Sequence, residues 1–286
     1  MTNSHNAATV PTQFIDVSGR HFAYRTIGEG IPLLLCLRFR GVMDMWDPAF
    51  LDALARKFRV IIFDYSGLGQ SSGEANYDPK ALAYDAIDLA NAMQLKKFVI
   101  GGWSLGGMAA QIAATLIPDR ISHLILLGTT PPGPVSRPTE PIFFERALKF
   151  DYDLEDEIIL FFEPKSERSR MAAKASHDRI ASRTTDRSPA IQEKVYTELL
   201  QAVPNEEGEL FCDEGYADFL ASTSIPILVI SGDHEIVFPA SNWSDLVGQW
   251  RSLHLTIIPQ AGHGPHHQEP AYCAELISSF AVNIRS

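Results

Sequence analysis

The stretch Phe98-Val99-Ile100-Gly101-Gly102-Trp103-Ser104-Leu105-Gly106-Gly107-Met108-Ala109-Ala110 decides how the rest of the chain is read. It opens as a short apolar run suited to a buried strand, passes through Gly-x-Ser-x-Gly, and continues into small and apolar residues at helical spacing. A serine at so sharp a strand-to-helix turn holds a strained backbone conformation. Glycine is required at 102 and 106 because the chain packs against itself there. The Ser104 hydroxyl is thereby presented outward. At a helix N-terminus it also stands beside unpaired backbone N–H groups and the positive end of the helix dipole, which favour negative charge developing nearby. Gly-x-Ser-x-Gly without context is often a plain tight turn; the strand before it and the helix after it point to a nucleophile.

Working outward, Ile31 to Leu37, Val60 to Phe63, Leu124 to Leu127 and Ile225 to Ile230 are continuous apolar runs that fit strands buried on both faces. Between them, Phe50 to Lys57, Pro79 to Met93 and Leu105 to Leu116 carry helical spacing. The alternation predicts an α/β fold around a mostly parallel sheet of about eight strands. Two leading strands, Phe14 to Val17 and His21 to Arg25, turn on Ser18-Gly19 as an antiparallel hairpin. A last strand at Leu253 to Ile258 precedes a helix from Pro270 to about Ile284.

The alternation breaks off at Pro131-Pro132-Gly133-Pro134 and resumes at Ile225, about ninety residues later, far beyond an ordinary loop. The intervening sequence is mostly helix-forming, with Phe143, Phe144, Phe150, Phe161, Phe162 and Tyr196 supplying apolar faces. The expected organisation is a core domain of residues 1–130 and 225–286 with a helical cap at 131–224. Most of these aromatics should join the cap helices together, and a minority should line a pocket.

Composition bounds the function classes. With 286 residues, 45% hydrophobic and 21% charged, the chain can bury a sizeable core and is not largely disordered. A net charge of −11 with no local Lys/Arg cluster argues against a nucleic-acid partner. Cys36, Cys212 and Cys273 form no Cys-x-x-Cys pair, which suits reduced, structural thiols. The first residues lack a basic and then apolar leader, and no apolar run approaches the length of about eighteen needed for a membrane span. The expectation is a cytoplasmic protein without membrane insertion, monomeric or homodimeric.

A serine hydroxyl is a weak nucleophile without a base, and the base needs an orienting acid. Asp233 follows the run Ile227-Leu228-Val229-Ile230-Ser231-Gly232, at the strand end where parallel-sheet sites gather, and is the expected acid; Glu235 is the reserve. His263 stands between Gly262 and Gly264 after the last strand and is the expected base. His266 and His267 are alternatives to it, or ligands in a His-x-x-His-His metal site. No acid or cysteine accompanies them, so they are expected to rim the pocket or face solvent.

The order Ser, Asp, His on Gly102-Trp103-Ser104-Leu105-Gly106, Ser231-Gly232-Asp233 and Ala261-Gly262-His263 resembles the α/β-hydrolase superfamily over nearly the whole chain. Asp64-Tyr65-Ser66-Gly67-Leu68-Gly69-Gln70-Ser71 is similar to that family's glycine-bearing loop after the fourth strand, whose role is structural. Where many relatives carry His-Gly and an apolar residue after the third strand, this chain reads Leu37-Arg38-Phe39-Arg40-Gly41. The resemblance therefore implies the N–H groups of Phe39 and Leu105 as the oxyanion hole, and Arg38 in place of the usual glycine. Arg38 is expected either to be held by Asp44, Asp47 or Asp64 or to meet an anionic substrate. Arg38, Trp103 and His266 are the expected substrate contacts.

The implied activity is that of a serine hydrolase acting on a carboxylic ester or lactone of a small, partly apolar molecule, without metal or organic cofactor. Carbon–carbon hydrolysis of a β-diketone, perhydrolase-like chemistry and a weakly catalytic receptor are the alternatives. Serine argues against epoxide or haloalkane hydrolysis, for which similar family members use aspartate.

Overall fold

Eight strands, β1 (Gln13–Val17), β2 (Arg20–Ile27), β3 (Ile31–Cys36), β4 (Phe58–Phe63), β5 (Phe98–Trp103), β6 (Ile121–Leu127), β7 (Ile227–Gly232) and β8 (Leu253–Ile258), form one sheet in the order 1-2-4-3-5-6-7-8. The computed structural model describes residues 6–200 and 210–283. β1 pairs antiparallel with β2, and β2 antiparallel with β4; every other pairing is parallel. The α/β-hydrolase fold expected from the motifs is thus the observed one. β5 and β7 are buried at every position, which is why their sequences run apolar without alternation.

The helices among the described residues are α1 (Pro48–Leu54), α2 (Pro79–Ala92), α3 (Leu105–Leu116), α4 (Pro141–Ala147), α5 (Leu154–Phe161), α6 (Glu167–Ala181), α7 (Glu193–Leu200), α8 (Tyr216–Ser222), α9 (Ser241–Ser244), α10 (Pro265–Gln268) and α11 (Pro270–Asn283). α1 and α2 begin on proline after an aspartate cap. Asp47 accepts the N–H of Ala49, and Asp78 those of Lys80 and Ala81. α1 packs with α11, and α2 with α3. None of the helices is long and apolar enough to cross a membrane.

Helices α4 to α8 lie between β6 and β7 in the chain. α8 packs against α3 and so continues the core layer, although the sequence groups it with the insertion. α5 and α6 pack on each other, and α6 also touches α1 and α10.

Ion pairs to buried aspartates strap the end of α6 and the segment after it to the core. Asp44 receives Arg25 at 2.6 Å and Arg183 at 3.3 Å, and it accepts the N–H of Ser188 at 2.5 Å. Asp47 receives Arg179 at 2.6 Å. Asp64 accepts the N–H of Met43 and Gln70 and the hydroxyl of Ser188. These three aspartates are therefore fully engaged elsewhere, and none of them pairs with Arg38 as one reading of the sequence expected. Arg40, at a φ of +61°, performs a different fastening task. Its guanidinium donates to the carbonyls of Ala147, Lys149 and Phe150 at and just past the end of α4, and it lies 4.2 and 4.3 Å from the Tyr152 and Tyr196 ring centres.

Candidate active site

All the parallel strands end on one edge of the sheet, and the loops leaving β3, β5, β7 and β8 carry Phe39, Ser104, Glu235 and His263. Ser104 has φ +57° and ψ −123°, a conformation that costs a residue bearing a Cβ and persists only where surrounding packing enforces it. That packing is visible at the flanking glycines. A Cβ on Gly102 would lie 2.0 Å from the Gly106 carbonyl oxygen, and one on Gly106 would lie 2.1 Å from that of Cys36. The Ser104 carbonyl is held by the Thr129 hydroxyl at 2.7 Å and the Gly107 N–H at 2.8 Å.

The carboxylate that meets His263 is not the expected Asp233. His263 Nδ1 meets Glu235 Oε2 at 2.7 Å, with the histidine side chain 2% and the glutamate side chain 0% exposed. Asp233 does not reach His263: its side chain is 38% exposed, pairs with His234 at 2.7 Å and accepts the N–H of Ala261. Burial works against ionisation of Asp233, but His234 and the backbone N–H groups of Gln260 and Ala261 outweigh it and hold the carboxyl below its usual range. The correction has a local cause. After β7 the chain keeps Asp233 against the β8 loop through its N–H to the Ile258 carbonyl, and Glu235 turns inward where Val237 and Phe238 donate N–H groups to its Oε1 at 2.8 and 3.3 Å. Glutamate two positions after the expected acid was the available signal; nothing local to the sequence ranked it first.

With Nδ1 committed to Glu235, Nε2 of His263 is the nitrogen left to take a proton. Neither Nε2 nor the Ser104 hydroxyl has a partner among the described residues, a separation that closes in many enzymes only once substrate is bound. The two loops are tied through Trp103, whose indole N–H donates to the His263 carbonyl at 2.8 Å. The Phe161 and Phe238 rings flank the imidazole at 6.3 and 5.7 Å between centres.

Ser104 lines a cavity of about 320 Å³ whose walls are mainly apolar: Leu105, Met108 and Ile112 from α3, Phe143 from α4, Phe211, and Phe238. Phe39 and Leu105 both border it, and the backbone N–H of neither finds a protein acceptor among the described residues. Two free donors beside the serine can hold a developing oxyanion.

None of the three expected substrate contacts lines this cavity. Arg38 and Trp103 face a neighbouring one of about 280 Å³ between α5, α6 and the core. His266 is enclosed by Trp46, Phe50 and Trp103, with ring centres at 5.5, 5.0 and 4.7 Å, and both of its nitrogens are buried without partners. His267 is buried against Trp103 and meets the Ser176 hydroxyl at 3.2 Å. The pair therefore neither rims the Ser104 cavity nor faces solvent. Gly264-Pro265 starts the short helix α10, and that turn carries both rings inward.

Burial pushes the His266 imidazole well below its usual value and that of His267 down to about 3. Below pH 6.5 the unfolded chain binds protons at these sites that the folded protein refuses. Stability is therefore complete above pH 6.5 and falls as pH drops toward 3, by about 1.4 kcal/mol per pH unit for each ring. Urea midpoints measured from pH 7 to pH 5 should fall more steeply for the native protein than for His266→Phe, which keeps the ring packing without the titrating group. Parallel curves would remove this role.

Comparisons with known proteins bear on the family. A family model described as alpha/beta hydrolase fold matches residues 31–270. An alpha/beta hydrolase fold protein from Chitinophaga pinensis superposes with a TM-score of 0.83 at 31% identity, covering 97% of this chain and 98% of that one. A proline iminopeptidase of Pestalotiopsis fici is 27% identical over 93% of this chain and 98% of its own length. A pimeloyl-[acyl-carrier protein] methyl ester esterase of Vibrio campbellii is 28% identical over 88% and 96%. The chain belongs to the alpha/beta hydrolase family and shares with these relatives the general character of a hydrolase.

Proposed function

We propose that the protein is a serine hydrolase that cleaves a carboxylic ester or lactone of a small, partly apolar molecule through an acyl-enzyme on Ser104. The observation that carries this reading is a positive-φ serine lining an apolar cavity on the same sheet edge as a histidine whose second nitrogen is held by a buried carboxylate. His263 Nε2 takes the Ser104 proton as Oγ attacks the carbonyl carbon, and Glu235 stabilises the imidazolium that forms. The N–H groups of Phe39 and Leu105 receive the oxyanion, each worth roughly 2.7–4 kcal/mol in the transition state. Collapse expels the alcohol, which takes its proton from His263. A water deprotonated by the same imidazole then releases the acid. Every group in these steps is the chain's own, apart from substrate and water.

The helices α4 to α7 act as a cap in this reading. Phe143 closes the cavity from above α3, and the apolar walls favour a hydrocarbon acyl or alcohol part. The methyl ester esterase among the relatives supports ester cleavage by its printed name.

The test is steady-state turnover on p-nitrophenyl esters from acetate to octanoate, γ- and δ-lactones, proline p-nitroanilide and a β-diketone. Repeated turnover of an ester or lactone is expected, with kcat/KM rising as the acyl chain fills the cavity. Cleavage confined to the anilide or the diketone would replace the substrate class. A single burst without further turnover would identify a receptor instead.

A further inference from the structure

Arg38 has no part in the reaction above, yet it stands next to it. Its guanidinium carbon lies 5.1 Å from the Trp103 ring centre and 4.6 Å from that of Phe161. Both rings also pack on His263, at 5.9 and 6.3 Å between centres, so the cation is one ring layer from the catalytic base. Phe39 borders the Ser104 cavity, and its chain neighbour Arg38 borders two further cavities of about 280 and 230 Å³.

Arg38 and Arg40 leave the same strand and have opposite fates. The Arg40 donors are taken up by three carbonyls and a tyrosine hydroxyl. Among the described residues Arg38 makes one hydrogen bond, from Nη1 to the Phe39 carbonyl at 2.8 Å. Its Nε is buried without an acceptor, and its Nη2 donates to nothing among the described residues. No carboxylate pairs with it there. Asp44, Asp47 and Asp64 are engaged with the strap described above, and Glu157, which lines the same two cavities and favours the Arg38 charge from beyond ion-pair distance, meets His177 through Oε2 at 2.9 Å.

A charged donor removed from water and left unpaired is costly, and aromatic faces offset only part of that cost. The unpaired Nε and Nη2 lie on one edge of the guanidinium plane, and that edge matches the two oxygens of a carboxylate. We propose that Arg38 binds a carboxylate of the substrate, so that the preferred ester or lactone carries a free carboxylate some distance from the bond that is cleaved. The word substrate rests on the serine hydrolase reading; the anion site does not.

The two are separated by measuring binding in the Ser104→Ala protein, which cannot turn over. Calorimetry compares the monomethyl esters of linear dicarboxylic acids, from succinate to suberate, with the corresponding dimethyl esters. At one or two chain lengths the anionic ester is expected to bind about 10- to 100-fold tighter than the neutral one. Adding Arg38→Met should bring that ratio to within about threefold of unity. Arg38→Lys should lose about fivefold of it, because an ammonium cannot make the two-pronged contact, and it serves alone if the methionine variant does not fold. No charge preference at any length, or a preference that survives the loss of the guanidinium, overturns the proposal. The hydrolase reading fails on a separate result, equal fluorophosphonate labelling with and without the Ser104 hydroxyl.

Discussion

Ser104→Ala is expected to lower kcat/KM on whichever ester or lactone the protein turns over by about 10⁴- to 10⁶-fold and to abolish labelling by a fluorophosphonate probe. The size follows from the role: with no hydroxyl there is no acyl-enzyme, and the remaining rate comes from binding and the oxyanion donors alone. Folding should be nearly unchanged. The hydroxyl has no hydrogen-bond partner among the described residues, the backbone is held through the Ser104 carbonyl by Thr129 and Gly107, and alanine meets the same φ of +57° with the same Cβ. A shift in the urea midpoint equivalent to no more than about 0.5 kcal/mol is expected. Undiminished labelling of the alanine protein would remove Ser104 as the nucleophile.

Glu235→Gln is expected to cost about 10³- to 10⁴-fold in kcat, and Asp233→Asn less than about threefold. The asymmetry comes from the contacts. Only Glu235 touches His263, at 2.7 Å and out of contact with water, so the amide both removes the charge that stabilises the imidazolium and permits the wrong tautomer. Asp233 is partly exposed, and its partners are His234 and the β8 loop. Paired kinetics on the two variants decide between the carboxylates: a large loss for Asp233→Asn with a small one for Glu235→Gln would reverse the assignment.

Much of the fold was legible because its signals are local. Strand β5, the turn at Ser104 and helix α3 follow from apolar residues, glycines and helical spacing within thirteen consecutive positions. The Leu253–Ile258 strand and the Pro79 helix start were legible for the same reason. The placement of His263 on a loop after the final strand was legible because glycines stand on both sides of it. The choice between Asp233 and Glu235 was not, since it depends on which carboxylate the Val237 and Phe238 N–H groups capture once the loop is folded. The places of His266 and His267 were hidden likewise. Polar side chains after a Gly-Pro read as exposed, yet α10 turns them into a cage of rings formed by residues from distant parts of the chain.

By itself the sequence determined the sheet and the places of Ser104 and His263 on loops at its edge, because each is written in short-range spacing and in backbone demands that only glycine meets. Only the tertiary structure decided which carboxylate meets His263, that Arg40 fastens the chain around the end of α4, and that Arg38 is left with Nε unpaired. Those outcomes depend on distances between residues far apart in the chain. The free energy of a buried charge is set by the partners that folding brings to it, and residue order alone does not specify them.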